Sequence, residues 1–246
     1  MKSNLRVDMH VHLGRSKDGA KYGPGDVRQL LERYSFSHAV LFPVDEREPG
    51  PSYSRLNARV AKTAKKDKRI LGFVRLNPHE KEAAHRELTL AAKRGMRGVK
   101  LHPRAEDFSP HETEELFREI ESHRFPVMLH TSHEPHCHPI AWEGIFLRHK
   151  KICFILAHAG KDAYREAASV AKRCPNVYLD TSTLSFRRTT VILKEVGAGK
   201  VVFASDAPYS HPAVELLKFD LILKGNSAAC RKIFQENPKK ILGGLV

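Results

Sequence analysis

Cysteine is scarce. The 246 residues hold four, and Cys137, Cys153, Cys174 and Cys230 form no C-x-x-C pair. That spacing argues against a disulfide scaffold or a zinc ribbon, and suggests reduced thiols in a cytoplasmic protein. No apolar run approaches the roughly 20 residues of a membrane helix, so a membrane is not expected as a partner. The start of the chain has no basic, apolar and cleavage-site succession, and a strand-like segment begins at residue 5, so no signal peptide is read. Acidic residues are few, 28 against 42 lysines and arginines, and the formal net charge is +14. No arginine-rich tail or aromatic-interleaved basic motif accompanies that surplus. It therefore points to a solvated basic surface or to an acidic small-molecule substrate, and away from nucleic acid. Low-complexity linkers, composition breaks and short-period repeats are also missing, so residues 1–246 are expected to form one domain.

What is present is an alternation. Short β-rich apolar runs at 5–11, 38–44, 70–76, 98–101, 126–130, 153–158, 177–180 and 201–205 are separated by amphipathic stretches. Cores such as VMLH, CFILAH and VVFASD are apolar on both faces, as strands of a buried parallel sheet are. The helical patterns cover 26–36, 53–66, 80–94, 112–123, 140–149, 162–173, 186–196 and 213–223, with a last one at 227–235. Ser109-Pro110 reads as a helix start, and Gly95 as a left-handed cap. Eight β-then-α units predict an α/β fold of the (β/α)8 barrel type, with a doubly wound open sheet as the alternative.

In such a barrel the active site gathers where the strands end. Strand 1 ends in His10-Val11-His12, and residues two apart on a strand face the same way. Strands 5, 6 and 8 end at His130, His158 and Asp206. Imidazoles plus a carboxylate make a zinc-like ligand set with room for water. Lys100 and His102, two residues apart on strand 4, should share a face. Asp8 and Asp180 lie near strand ends, where they could orient histidines. Arg15, Arg75, Arg104, Arg187 and Arg188 are candidates to meet a substrate carboxylate. The stretch TSHEPHCH (131–138) holds three further histidines but no closed zinc spacing, and reads as a mobile loop over the site.

The segments VDMHVH (7–12), GVKLHP (98–103), VMLHT (127–131), LAHAG (156–160), SDAP (205–208) and NPKKIL (237–242) together resemble the amidohydrolase superfamily, within it the amidohydrolase-related (amidohydrolase 2) branch of small metal-dependent barrels. The resemblance runs over nearly the whole chain. It implies that His10, His12, His130 and Asp206 bind or contact a divalent metal, most simply zinc, and that His158 is catalytic or polarises substrate. Asp206 would take a proton from metal-activated water. Lys100 resembles a strand-four lysine that, when carboxylated, bridges two metals; one ion is expected, with a second only if Lys100 is so modified. Lys100 and His102 are otherwise expected to touch substrate.

Three activities fit the resemblance. They are a hydrolase of a small anionic amide, ester or lactone, a decarboxylase or other carbon–carbon lyase, and a nuclease similar to the TatD-like barrels. The +14 charge would favour the third, but those nucleases place a glutamate on strand four, where this chain has Lys100 and His102, which disfavours it. The expected partner is a small carboxylate. A homo-oligomer is left open.

Overall fold

The computed structural model describes residues 6–244. Leu5, where the first predicted strand begins, lies outside the described residues. The strands are β1 (Val7–Arg15), β2 (His38–Pro43), β3 (Ile70–Gly72 and Val74–Arg75), β4 (Val99–Leu101), β5 (Val127–His130), β6 (Phe154–Ala157), β7 (Val177–Asp180) and β8 (Val201–Val202). Each is followed by a helix: α1 (Pro24–Arg33), α2 (Ser54–Lys66), α3 (Lys81–Lys93), α4 (Glu114–Ser122), α5 (Glu143–Arg148), α6 (Tyr164–Arg173), α7 (Phe186–Val196) and α8 (Pro212–Leu223). Short helices Ser227–Arg231 and Asn237–Ile241 complete the chain.

These eight barrel strands run parallel in sequential order, while a two-residue strand, Lys21–Tyr22, pairs antiparallel with the end of β1. Strand β3 carries the hand-over between the two sheets: Ile70–Gly72 pairs with β2, and Val74–Arg75 pairs with β4. The chain after β8 returns to β1. Met9 N–H donates to Phe203 O at 3.0 Å, Asp206 N–H to His10 O at 2.9 Å, and His12 N–H to Ala207 O at 2.9 Å. The expected (β/α)8 barrel is therefore what forms, not an open doubly wound sheet.

Strand periodicity divides the core in two. Val40, Phe42, Met128, Ile155, Tyr178 and Val202 fill the barrel interior. Leu41, Val127, Leu129, Phe154, Leu156 and Leu179 pack outward against the helices. Helix starts follow local chemistry. Pro24 occupies the first turn of α1, and Asp26 Oδ2 accepts from Gly23 N–H at 2.7 Å. Ser109 and Glu112 form the reciprocal cap expected ahead of α4, and Gly95, at φ 73°, closes α3. The predicted helix over 140–149 is shorter than expected, because Pro139–Trp142 winds as a 3-10 turn before α5.

Candidate metal centre and active-site cavity

The interior face of the strands, followed upward, delivers the polar groups. Met128 is interior, so His130 is too, and Tyr178 predicts Asp180 in the same way. Strand β1 needs a correction to simple alternation. Its register with β2 shifts between Asp8 and Val11, so that Val7 and Met9 are interior below the irregularity while Val11 and Leu13 pack outward above it. His10 and His12 thereby both enter the barrel mouth. On β6 the interior residues are Ile155 and Ala157, which would send His158 outward. The backbone reverses this by turning left-handed at His158 (φ 59°) and staying at positive φ through Lys161. Asp206 is also left-handed, at φ 56°. Such conformations cost on the order of 1–3 kcal/mol each in non-glycine residues and persist where the surroundings enforce them.

Three donor atoms converge. His10 Nε2 lies 3.1 Å from His12 Nε2 and 3.0 Å from Asp206 Oδ1, and His12 Nε2 is 3.0 Å from the same oxygen. Behind them, Asp180 Oδ2 sits 2.6 Å from His10 Nδ1, with both side chains fully buried. An Nδ1–H donated to that carboxylate leaves His10 Nε2 with its lone pair facing the centre. Ligands around a tetrahedral ion at about 2.0–2.1 Å stand about 3.3 Å apart, so this trio fits a divalent ion after only slight spreading. The His130 ring stacks on His102, centroids 3.8 Å apart, and lies 5.1 Å from the His158 ring. Its Nε2 is buried without a hydrogen-bond partner, as a nitrogen kept for a ligand would be. His130 stands outside the tight trio, and His158 instead forms a second group with His10 and Asp180.

Burial keeps the imidazoles neutral. It pushes His12 and His158 down to about 4, and His130 and His102 well below the ordinary value. His10 is the exception: burial opposes its charge, but Asp206 and Asp180 outweigh it and raise it. Burial also disfavours the Asp206 carboxylate, yet His10 and His158 hold it well below the usual range, so it is anionic. Lys100 is buried without an ion-pair partner among the described residues, its ammonium 4.8 Å from the Phe42 ring centroid. Burial lowers it to about 7.

Above the trio opens a cavity of about 490 Å³. Of the five candidate arginines only Arg75 and Arg104 line it, together with Lys100, His102 and Lys161. Arg15 faces a separate depression, Arg188 pairs with Asp162, and Arg187 is exposed outside the cavity. Arg75 is buried against the Tyr53 ring, 4.2 Å to the centroid, and paired with Glu106 at 2.5 Å. His102 Nδ1 accepts from Ala105 N–H at 3.1 Å, which turns the chain into the short helix Pro103–Glu106. Asp180 orients a histidine as expected. Asp8 Oδ1 accepts instead from the backbone N–H groups of His10 and Ser205, joining β1 to the end of β8. The stretch 131–138 folds as a hydrogen-bonded turn around buried Cys137, with His136 O bound by Trp142 Nε1–H at 2.7 Å; its histidines belong to no metal-like group among the described residues.

Sequence reading missed Glu106, Tyr53, Tyr209, Ser182 and Thr183. Only Tyr209 had a local signal, its place just after SDAP; its ring lies edge-on to His12 at 5.0 Å. Ser182 Oγ and Thr183 Oγ1 lie 3.1 and 3.4 Å from His158 Nδ1.

A family model described as Amidohydrolase matches residues 7–244. The chain belongs to the amidohydrolase family. Similar solved structures include 2,6-dihydroxybenzoate decarboxylase from Rhizobium, 16% identical with a TM-score of 0.75, covering 97% of this chain and 98% of that one. A candidate 2-pyrone-4,6-dicarboxylic acid hydrolase from Pseudomonas putida is 16% identical, with a TM-score of 0.71 and 98% coverage of both chains. A dihydroxybenzoic acid decarboxylase from Polaromonas with bound manganese is 17% identical, with a TM-score of 0.71 and 98% and 97% coverage. At these identities the likeness establishes the shared barrel. No curated protein matches the chain.

Proposed function

We propose that this single-domain barrel is a metal-dependent hydrolase of a small carboxylate-bearing amide, ester or lactone. The observation that carries the reading is the convergence of His10 Nε2, His12 Nε2 and Asp206 Oδ1 within 3.0–3.1 Å of one another beneath a cavity whose wall holds more cations than anions, Lys17, Arg75, Lys100, Arg104 and Lys161 against Asp18 and Asp45. His10, His12, His130 and Asp206 would hold one divalent ion, assigned as zinc because the donors mix imidazole and carboxylate. When bound, such an ion supplies Lewis acidity, acidifying water or polarising a substrate oxygen. Asp206, kept ionised, accepts the proton of the attacking water and returns it to the leaving group. The Ser182 and Thr183 hydroxyls beside His158 Nδ1, by donating to it, would leave Nε2–H to steady a developing oxyanion. Lys100 and His102 contact the substrate. A single ion is favoured because the Asp180 oxygens are already taken by His10 Nδ1 and Ser182 N–H. A second ion would require carboxylated Lys100.

Decarboxylation is the second reading, supported by the same cationic wall and by the decarboxylases of similar fold. A reducing cytoplasm suits the four free cysteines, and no described helix is long and apolar enough to cross a membrane. The test is metal analysis followed by a screen of carboxylated lactones, amides and aromatic acids, with CO2 detection and single-stranded DNA as further arms. Asp206→Asn should stay folded and metal-loaded while turnover falls on the order of 10²–10⁴-fold. A metal-free native protein, DNA cleavage without turnover of small acids, or near-native turnover in Asp206→Asn would each overturn the reading.

A further inference from the structure

Helix α8 carries a buried ion pair that does not itself line the cavity. Lys218 is 7% exposed and Glu215 2%. The Lys218 ammonium has three partners: Thr181 O at 2.8 Å, Leu184 O at 3.0 Å and Glu215 Oε2 at 2.5 Å. The other Glu215 oxygen accepts from Thr183 N–H at 2.9 Å and Ser210 Oγ–H at 3.2 Å. Two side chains of one helix thus satisfy three backbone groups of the turn after β7 and reach the turn after β8 as well.

That turn needs holding. Thr183 is left-handed at φ 64°, a conformation a threonine does not adopt unaided. The turn carries Ser182 and Thr183, whose hydroxyls reach His158 Nδ1, and it follows directly on Asp180, which reaches His10 Nδ1. Asp180 Oδ1 also accepts from Ser182 N–H at 2.7 Å, so the two histidine supports are one piece of chain.

We propose that Glu215 and Lys218 are positioning residues that fix the 181–184 turn and, through Ser182, Thr183 and Asp180, set which nitrogen of His158 and of His10 carries the proton. The inference rests on the reading that these two histidines work in the site. A buried ion pair is costly to desolvate, and apolar isosteres of such pairs are often as stable or more so. A purely structural pair could be replaced without consequence for the site. A positioning pair could not, because among the described residues the Leu184 carbonyl is held by Lys218 alone and the Thr181 carbonyl otherwise only by Leu184 N–H at 3.3 Å.

The double variant Glu215→Gln/Lys218→Met separates the two roles. It removes both charges, retains an acceptor for Thr183 N–H, frees the Leu184 carbonyl and leaves the Thr181 carbonyl only its turn bond from Leu184 N–H. Unfolding should remain cooperative with a midpoint near that of the parent. The imidazole 15N shifts of His158 and His10, read by NMR on the metal-free protein, should move from one defined tautomer towards an average. The metal dissociation constant should rise on the order of 10–100-fold, as for other changes behind a ligand. A folded double variant with parental ring shifts and metal affinity overturns the proposal. Amide exchange in the unaltered protein tests the same point without a variant: Thr183 N–H should be protected like a strand amide, and exchange at a free-loop rate overturns the proposal. Failure of the site reading looks different, since His158→Ala would then leave turnover unchanged whatever the double variant shows.

Discussion

Replacing Asp180 by asparagine removes the carboxylate behind His10 while retaining the size of the side chain. The bond concerned is 2.6 Å long between two fully buried groups. A hydrogen bond to a charged group contributes about 1.5–3 kcal/mol. Changes behind a metal ligand weaken metal binding typically about 10–100-fold, equivalent to about 1.4–2.7 kcal/mol. Both ranges centre near ~2 kcal/mol, or ~30-fold in the metal dissociation constant. The mechanism has a direction. The introduced amide oxygen can still accept from Ser182 N–H, so its NH2 group faces His10 Nδ1, and the proton is driven to Nε2, the nitrogen aimed at Asp206 and His12. The assay is competition for zinc against a chromogenic chelator, with melting curves of metal-free and metal-loaded protein. The metal-loaded form of Asp180→Asn should lose about 2–4 °C for each kcal/mol of lost binding free energy, beyond the loss that the metal-free form shows from the weakened bond. Parental metal affinity in Asp180→Asn would refute the claim that this carboxylate sets the ligand state of His10.

Acid should destabilise the metal-free protein. His12 and His158, pushed down to about 4, stay neutral in the folded chain where the unfolded chain takes up protons, so their contribution is present above pH 6.5 and lost as pH falls towards 4. Asp8, raised to about 7 by burial, has the opposite sign and opposes one of the two; lowered His102 and His130 add to the acid loss, and raised Glu87 and Glu215 act against it. Each uncompensated proton corresponds to a slope of about 1.4 kcal/mol per pH unit, and a melting temperature that is flat between pH 6.5 and 4.5 would contradict the predicted loss. Gly98→Ala should cost about 1–3 kcal/mol, because a Cβ there would lie 2.5 Å from the Phe73 ring inside the barrel. Calorimetry reading an unchanged melting temperature would show that this crowding relaxes freely.

The sequence determined the scaffold and the strand-end polar set. Apolar runs with helical spacers are local patterns, and they specify eight β/α units because strand and helix periodicity are written in neighbouring residues. The H-x-H spacing put His10 and His12 on one side of β1, but the register shift between Asp8 and Val11 decided that this side faces the mouth. Tertiary structure decided what each group touches. The partners of His10 at Asp180 and Asp206 are 170 and 196 positions away along the chain, and Arg75 meets Glu106 across 31. His158 enters the cavity only because its backbone turns left-handed, against the outward direction that strand alternation predicts. Protonation belongs to the same level: the low values of His12 and His158 and the lowered Lys100 come from burial that the closed barrel imposes. Local sequence sets which side of a strand a residue takes. Distances, desolvation and charge coupling depend on chain segments brought together from far apart, and those exist only once the barrel has closed.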